Sequence, residues 1–252
     1  MKRILLFIML IFSGFLMIAQ ETGEQLWEKA NDLYITEEYQ QAILLYEQIL
    51  NSDEESAKLY FNLGNAYFKN GNISNAILNY ERAKLLAPHD EDIEFNIMFA
   101  NQFVVTGIEA LPLPFFLRWK ESLINLLPAD KWSVFSISAF ILFLVAFGLF
   151  LFGKNISLRK ISFWTGIVFI VFSGFSYSFA SGQKKKIENR NHAIVFCPRT
   201  AVKSAPSETG TDLFIIYEGL KVEVTNSLNA WKEIKLSDGN KGWLPASCIV
   251  II

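Results

Sequence analysis

The stretch Tyr60-Phe61-Asn62-Leu63-Gly64-Asn65-Ala66-Tyr67-Phe68-Lys69-Asn70-Gly71-Asn72-Ile73-Ser74-Asn75-Ala76-Ile77-Leu78-Asn79-Tyr80-Glu81 decides the reading of the amino-terminal region. Apolar and small residues recur at helical spacing on both sides of Gly71, the pattern of two amphipathic helices joined by a tight turn. Shifted by 34 residues, Gln41-Ala42-Ile43-Leu44-Leu45-Tyr46-Glu47 falls over Asn75-Ala76-Ile77-Leu78-Asn79-Tyr80-Glu81, so the hairpin is a repeat. Gly64 and Ala76 let the paired helices approach closely, Tyr67 and Tyr80 fill the space between them, and Pro88 stops the second helix.

With Tyr60, Leu63, Gly64 and Tyr67, then Gly71, then Ala76, Tyr80, Ala83 and Pro88, the period resembles the tetratricopeptide (TPR) repeat. A degenerate unit precedes it, with Leu26, Ala30, Leu33, Ala42, Tyr46 and Ile49 at matching places. A third opens at Asp90, whose side chain suits an N-cap for a helix from Glu91 to about Asn101, and has no evident second helix. An array of about two and a half units over 21–106 is expected to lean on the segment that follows it.

The TPR resemblance implies a partner-binding concave face made by the first helices: Trp27, Asn31 and Tyr34, then Phe61, Asn65 and Phe68, then Phe95 and Phe99. Aromatics interleaved with amides suit an extended peptide or a partner helix. Asn31 and Asn62 match two positions of repeats that clamp acidic carboxyl-terminal tails, but Trp27, Asp92 and Asn96 stand where that clamp has basic residues. The alternative occupant is intramolecular, the amphipathic segment Phe115 to Leu127. The region Glu21 to Asn101 holds 15 acidic and 5 basic residues, which fits a solvated outer face as well as a basic partner.

Outside the repeats the chain is strongly apolar. Of its 252 residues 52% are hydrophobic and only 19% charged, with 23 Phe and a net charge of −2, which argues against disorder and against nucleic-acid binding. Lys2-Arg3 ahead of the apolar run Ile4 to Ile18 reads as a signal peptide over residues 1–19, cleaved after Ala19 or retained as an anchor; either way Glu21 onward is exported. The uncharged runs 132–152 and 161–182 are each long enough to cross a bilayer as a helix, with Trp132 and Trp164 near span ends. The linker between them carries Lys154, Arg159 and Lys160, which favours the cytoplasmic side; Lys184-Lys185-Lys186 and Arg190 after the second span argue the other way. The signal peptide decides the orientation, leaving both flanking regions outside the inner membrane. Between repeats and spans, residues 111–130 combine Leu111-Pro112-Leu113-Pro114 with the amphipathic Phe115 to Leu127, an expected interfacial helix, and Asp130 offers a cap for the first span.

From His192 the period changes to alternation, with short strands at Ile194–Phe196, Leu213–Tyr217, Lys221–Val224, Trp231–Lys235 and Ile249–Ile252. Tyr217-Glu218-Gly219-Leu220-Lys221-Val222, Trp231-Lys232-Glu233-Ile234 and Asp238-Gly239-Asn240-Lys241-Gly242-Trp243-Leu244-Pro245 resemble the bacterial SH3 (SH3b) pattern, which implies a small all-β barrel over 192–252. That resemblance implies a groove bearing Tyr217, Trp231 and Trp243 and a contact with cell-wall peptide; a protein-binding or structural module is the alternative. Cys197 and Cys248, on the first and last strands, form a disulfide or remain two small buried residues.

No catalytic constellation is legible. His89 and His192 stand in different segments, and no phosphate loop, metal-ligand spacing or nucleophile elbow occurs. Asp53-Glu54-Glu55 and Asp90-Glu91-Asp92 sit at helix starts, where the macrodipole favours acids. The expectation is a non-enzymatic multidomain membrane protein without cofactor or metal: a helical repeat array, a two-helix transmembrane hairpin and a small barrel. The order of parts resembles the BatE-type family of the Bacteroides aerotolerance operon. That resemblance implies the company of von Willebrand A-domain membrane proteins and MoxR-type AAA+ ATPases, and a link to oxidative or envelope stress. Two roles follow, a scaffold acting through the repeats and the barrel, or a peptidoglycan-sensing accessory of an envelope enzyme.

Overall fold

The computed structural model describes residues 23–52, 54–105, 114–188 and 190–252. The expected signal peptide and residues 111–113 of the expected interfacial segment lie outside them. The repeats form five antiparallel-paired helices: α1 (Gly23–Ile35), α2 (Tyr39–Leu50), α3 (Ala57–Lys69), α4 (Ile73–Leu86) and α5 (Glu91–Asn101). Local chemistry starts them where expected. The Ser56 side chain accepts from the Leu59 amide, Asn72 from Asn75, and Asp90 from both Asp92 and Ile93. Gly71 takes the left-handed conformation at the α3–α4 turn, with φ of 80°. Gly64 is a close-approach glycine, since a Cβ there would lie 2.6 Å from the Tyr80 ring.

Three further helices follow: α6 (Phe115–Ile124), α7 (Ala129–Phe152) and α8 (Ile156–Glu188). Helices α7 and α8 pair along their length, and both are long and apolar enough to cross a membrane. Only 17% and 22% of their most apolar windows are buried within the molecule, unlike helices that form a soluble core. Ser136 and Ser173 lock the hairpin by exchanging hydrogen bonds, each hydroxyl donating to the other's carbonyl at 3.0 and 2.9 Å. The element bounds differ from the apolar runs. Helix α8 begins at Ile156 and continues past Gly182 because charged residues at its ends can stay exposed, and the Asn155 side chain accepts from the Ser157 amide at its start. Helix α7 starts at Ala129, which puts Asp130 inside the first turn and not at the cap.

The carboxyl-terminal region is a seven-stranded antiparallel sheet: β1 (His192–Val195), β2 (Arg199–Lys203), β3 (Asp212–Tyr217), β4 (Lys221–Leu228), β5 (Trp231–Lys235), β6 (Lys241–Pro245) and β7 (Ile249–Ile251), in the order β3-β2-β6-β5-β4-β1-β7. Val195, Val202, Ile216, Val222, Ile234 and Leu244 form its core. The small SH3-like barrel expected from the motifs does not close: β3 and β7 are edge strands that do not pair with each other. A physical reason lies at β7, where the outward carbonyl of Ile251 accepts from Arg82 Nη2 of α4 at 3.0 Å, so the repeat array covers that edge. Cys197, after β1, and Cys248, in the 3₁₀ turn Ala246–Cys248 before β7, are disulfide-bonded with Cα atoms 5.0 Å apart.

Among the described residues, no side chain of the following segment Phe115 to Leu127 enters the array's core, where the array's length suggested that one would. The array leans on the sheet. Ile194 and Ile252 join Ile77, Ile93, Ile97 and Val104 in one buried cluster, so strand β1 and the chain end complete the repeat core beside α4. Gly219, with φ of 83°, meets Val104 so closely that a Cβ would come within 2.7 Å of its side chain. Ion pairs rim the seam, Lys221 to Glu81 at 2.5 Å and Arg190 to Glu55 at 3.4 Å.

Candidate functional site: the groove of the repeats

The first helices of the repeats, with Tyr80 of α4, line a groove of about 340 Å³. Tyr34 of α1, Asn65, Phe68 and Lys69 of α3, Tyr80 of α4, and Phe95, Asn96 and Phe99 of α5 form its wall. Helical spacing delivers these side chains to one face, since 65, 68 and 69 are three and four apart, as are 95, 96 and 99. Phe68 and Phe99 approach to 5.4 Å between ring centroids, Phe95 stacks on Phe99 at 6.3 Å, and Phe103 closes edge-on to Phe68 and Phe99. Phe95, Phe99 and Phe103 all remain exposed, an apolar surface that the repeat core does not use.

The amides beneath the aromatics are organised by the repeat. Asn31 Oδ1 accepts from the Tyr46 hydroxyl at 2.7 Å and from Asn62 Nδ2 at 3.1 Å. One period later, Asn65 Oδ1 accepts from Tyr80 at 2.8 Å and from Asn96 Nδ2 at 2.8 Å. Each rung ties the first helix of a unit to its own second helix and to the first helix of the next unit. The third unit has Phe99 where the acceptor asparagine would recur, so the rungs end and an aromatic surface begins. Burial pushes the Tyr46 hydroxyl up to about 12 and Tyr80 upward as well. Tyr67 is raised by burial and by its hydrogen bond to the Glu47 carboxylate.

Five of the residues expected on the concave face, Tyr34, Asn65, Phe68, Phe95 and Phe99, meet in this groove. Trp27 lies edge-on to Tyr46 with Lys58 Nζ 5.5 Å from its ring, Asn31 is the first rung's acceptor, and Phe61 packs against Tyr80 at 5.9 Å. Lys69, Tyr80 and Asn96 were not among the expected groove residues. The 34-residue step from Asn62 to Asn96 was the signal that could have found Asn96. On the sheet, Trp231 pairs across from Pro245 and Trp243 from Glu233, which puts both indoles on one face of β5 and β6. Tyr217 stands on β3, separated from β6 by β2. Among the described residues no group of three or more His, Cys, Asp or Glu is arranged to hold a metal.

A tetratricopeptide repeat model matches residues 57–90 and a TPR repeat model matches residues 30–71. TPR repeats are therefore present, and they support a protein-interaction role. No curated protein matches the sequence.

Proposed function

We propose that this protein is a non-enzymatic, membrane-anchored scaffold that captures a protein partner in the groove between α1, α3 and α5. The observation that carries the reading is the exposed aromatic surface of Phe95, Phe99 and Phe103 beside a TPR groove, left over although the sheet already completes the repeat core. Two lipid-crossing helices would return the chain to the side it left, and the seam between repeats and sheet requires both regions to share that side. The Cys197–Cys248 disulfide supports an oxidising compartment, hence the periplasmic face of the inner membrane. By the family resemblance the partners are von Willebrand A-domain membrane proteins working with an AAA+ system in aerotolerance or envelope stress.

A photo-crosslinking residue at Phe99, compared with one at Leu44 on the exposed side of α2, tests the groove in intact cells. A discrete adduct is expected at Phe99 and none at Leu44; equal adducts at both positions sink the groove assignment. Orientation is tested by single cysteines at Ser52 and Ser207 labelled with an impermeant thiol reagent, the native disulfide left oxidised. Labelling of both without lysis supports a periplasmic location, and labelling of both only after lysis places the two regions in the cytoplasm.

The second reading, a peptidoglycan-sensing accessory, is favoured by Trp231 and Trp243 sharing one face of the SH3b-like sheet. Co-sedimentation with purified sacculi that is lost in Trp231→Ala/Trp243→Ala supports it; no sedimentation of the native protein removes it.

A further inference from the structure

Helix α6 carries an exposed apolar arc. At 100° per residue Phe115, Phe116, Trp119 and Leu123 fall within one arc of about 100°. Phe115 and Trp119 are 71% and 73% exposed, while Ile124, on the opposite side, is 7% exposed and faces the molecule. A surface helix of a water-soluble domain has the reverse arrangement, its apolar stripe turned inward.

The helix is nevertheless held firmly. The Ile124 carbonyl accepts from Trp132 Nε1 of α7 at 3.0 Å and from Gln183 Nε2 of α8 at 2.7 Å. Gln183 also donates to the Leu127 carbonyl at 2.8 Å and is itself buried. These bonds satisfy carbonyls at and just beyond the α6 terminus that have no partner within the helix, and both donors come from the helices apolar enough to span a bilayer. The polar side of α6 turns toward the repeats and sheet: Glu121 and Asn125 line a cavity of about 420 Å³ with Lys84 of α4, Gln183 of α8 and Lys221 of β4. The exposed apolar arc therefore continues the exposed apolar surface of α7 and α8, and its polar side faces the folded regions. Exposed Arg118, Lys120, Lys131, Lys184 and Lys185 gather at the same end, against the exposed carboxylates Glu121 and Asp130.

We propose that α6 is a membrane-surface helix that seats Phe115, Phe116, Trp119 and Leu123 at the polar–apolar boundary of an anionic bilayer, with the surrounding cations against lipid phosphates. Continuity with the lipid-crossing surface and the sign of the charge identify the occupant as lipid. The clasp of Trp132 and Gln183 makes α6 a rigid float, so the repeats stand at a set height and attitude over the bilayer. The groove then faces partners that are themselves membrane-bound or reach the surface. This inference rests on the membrane-anchored reading above.

The test uses the full chain in nanodiscs of phosphatidylethanolamine and phosphatidylglycerol. With the native disulfide intact, spin labels are placed one at a time by Phe116→Cys, Trp119→Cys, Leu123→Cys, Arg118→Cys, Glu121→Cys and, mid-span, Ile141→Cys. Expected is an oxygen-to-nickel accessibility ratio several-fold higher at 116, 119, 123 and 141 than at 118 and 121. If 119 and 123 are as nickel-accessible as 121 while 141 stays in lipid, the float is refuted and the membrane anchor survives. If 141 is nickel-accessible too, both readings fail. Labels at 116, 119 and 123 shielded from both reagents mean that protein, a second copy included, covers the arc, which also refutes the proposal. Trp119→Phe keeps an aromatic there and provides a check independent of labelling: shallow brominated lipids should quench native fluorescence more than that of the variant, and equal quenching overturns the assignment.

Discussion

The two sides of the repeat array have opposite fates. On the side of α4, the sheet supplies Ile194 and Ile252 to a shared core, Arg82 takes the edge carbonyl of β7, and Lys221 pairs with Glu81, itself 8% exposed. On the side of α3 and α5, Phe95, Phe99 and Phe103 stay exposed over a groove whose amides are already bonded to tyrosines. A short array needs something to close its core, and here a different fold does so. The contrast separates residues that stabilise the molecule from residues left over for a partner.

The largest effect is expected where the covered side is stapled. Cys197→Ser with Cys248→Ser releases a loop of sequence separation 51, which by chain entropy lowers stability by about 4 kcal/mol, to be read from denaturant unfolding under non-reducing conditions. Gly219→Ala combines a left-handed φ with a clash at Val104, and is expected to cost about 1–3 kcal/mol. Hydrogen exchange should then rise in β1 and α4 together; a rise confined to the β3–β4 turn would show that the seam is not one unit.

On the open side, Asn65→Ala strands the Tyr80 hydroxyl and Asn96 and is expected to cost about 1–3 kcal/mol in thermal or denaturant unfolding. Asn31→Ala should match it closely if the rungs are equivalent. Alkali probes the same rungs. Because burial raises Tyr46 to about 12, the unfolded chain releases that proton from about 10 upward while the folded one retains it. Stability is therefore full below pH 10 and falls as pH rises toward 12, and Tyr46→Phe should flatten that decline in pH-dependent denaturant titrations. The smallest effect on stability belongs to Phe95→Ala, expected within about 0.5 kcal/mol because that ring is 61% exposed, and yet it should abolish partner crosslinking from a neighbouring probe at Phe99. A large destabilisation there would mean that the open side is core after all.

Much of this was legible beforehand. The 34-residue step, the Gly71 turn and the Asp90 cap are local signals, and the helices begin and end close to them. Three outcomes were not. Asn31 and Asn65 read as partner contacts in the sequence, and the structure makes both of them rungs, because their acceptors meet donors 31 residues away that only helix stacking brings near. The expected cover for the array was the adjacent segment from Phe115, but that helix is tied to the spans by Trp132 and Gln183. The closed barrel was inferred from strand motifs, and those say nothing of Arg82, 169 residues from Ile251, at the sheet edge.

The sequence by itself determined the repeats, the two long apolar helices and the alternating strands, because periodicity and turn chemistry act over a few residues at a time. Only the tertiary structure decided that the sheet completes the repeat core, that two cysteines meet, and that five aromatic and amide residues share one groove while Trp27 and Phe61 turn inward. These depend on contacts between residues far apart in the chain, where burial of apolar surface, and not local preference, selects the partner.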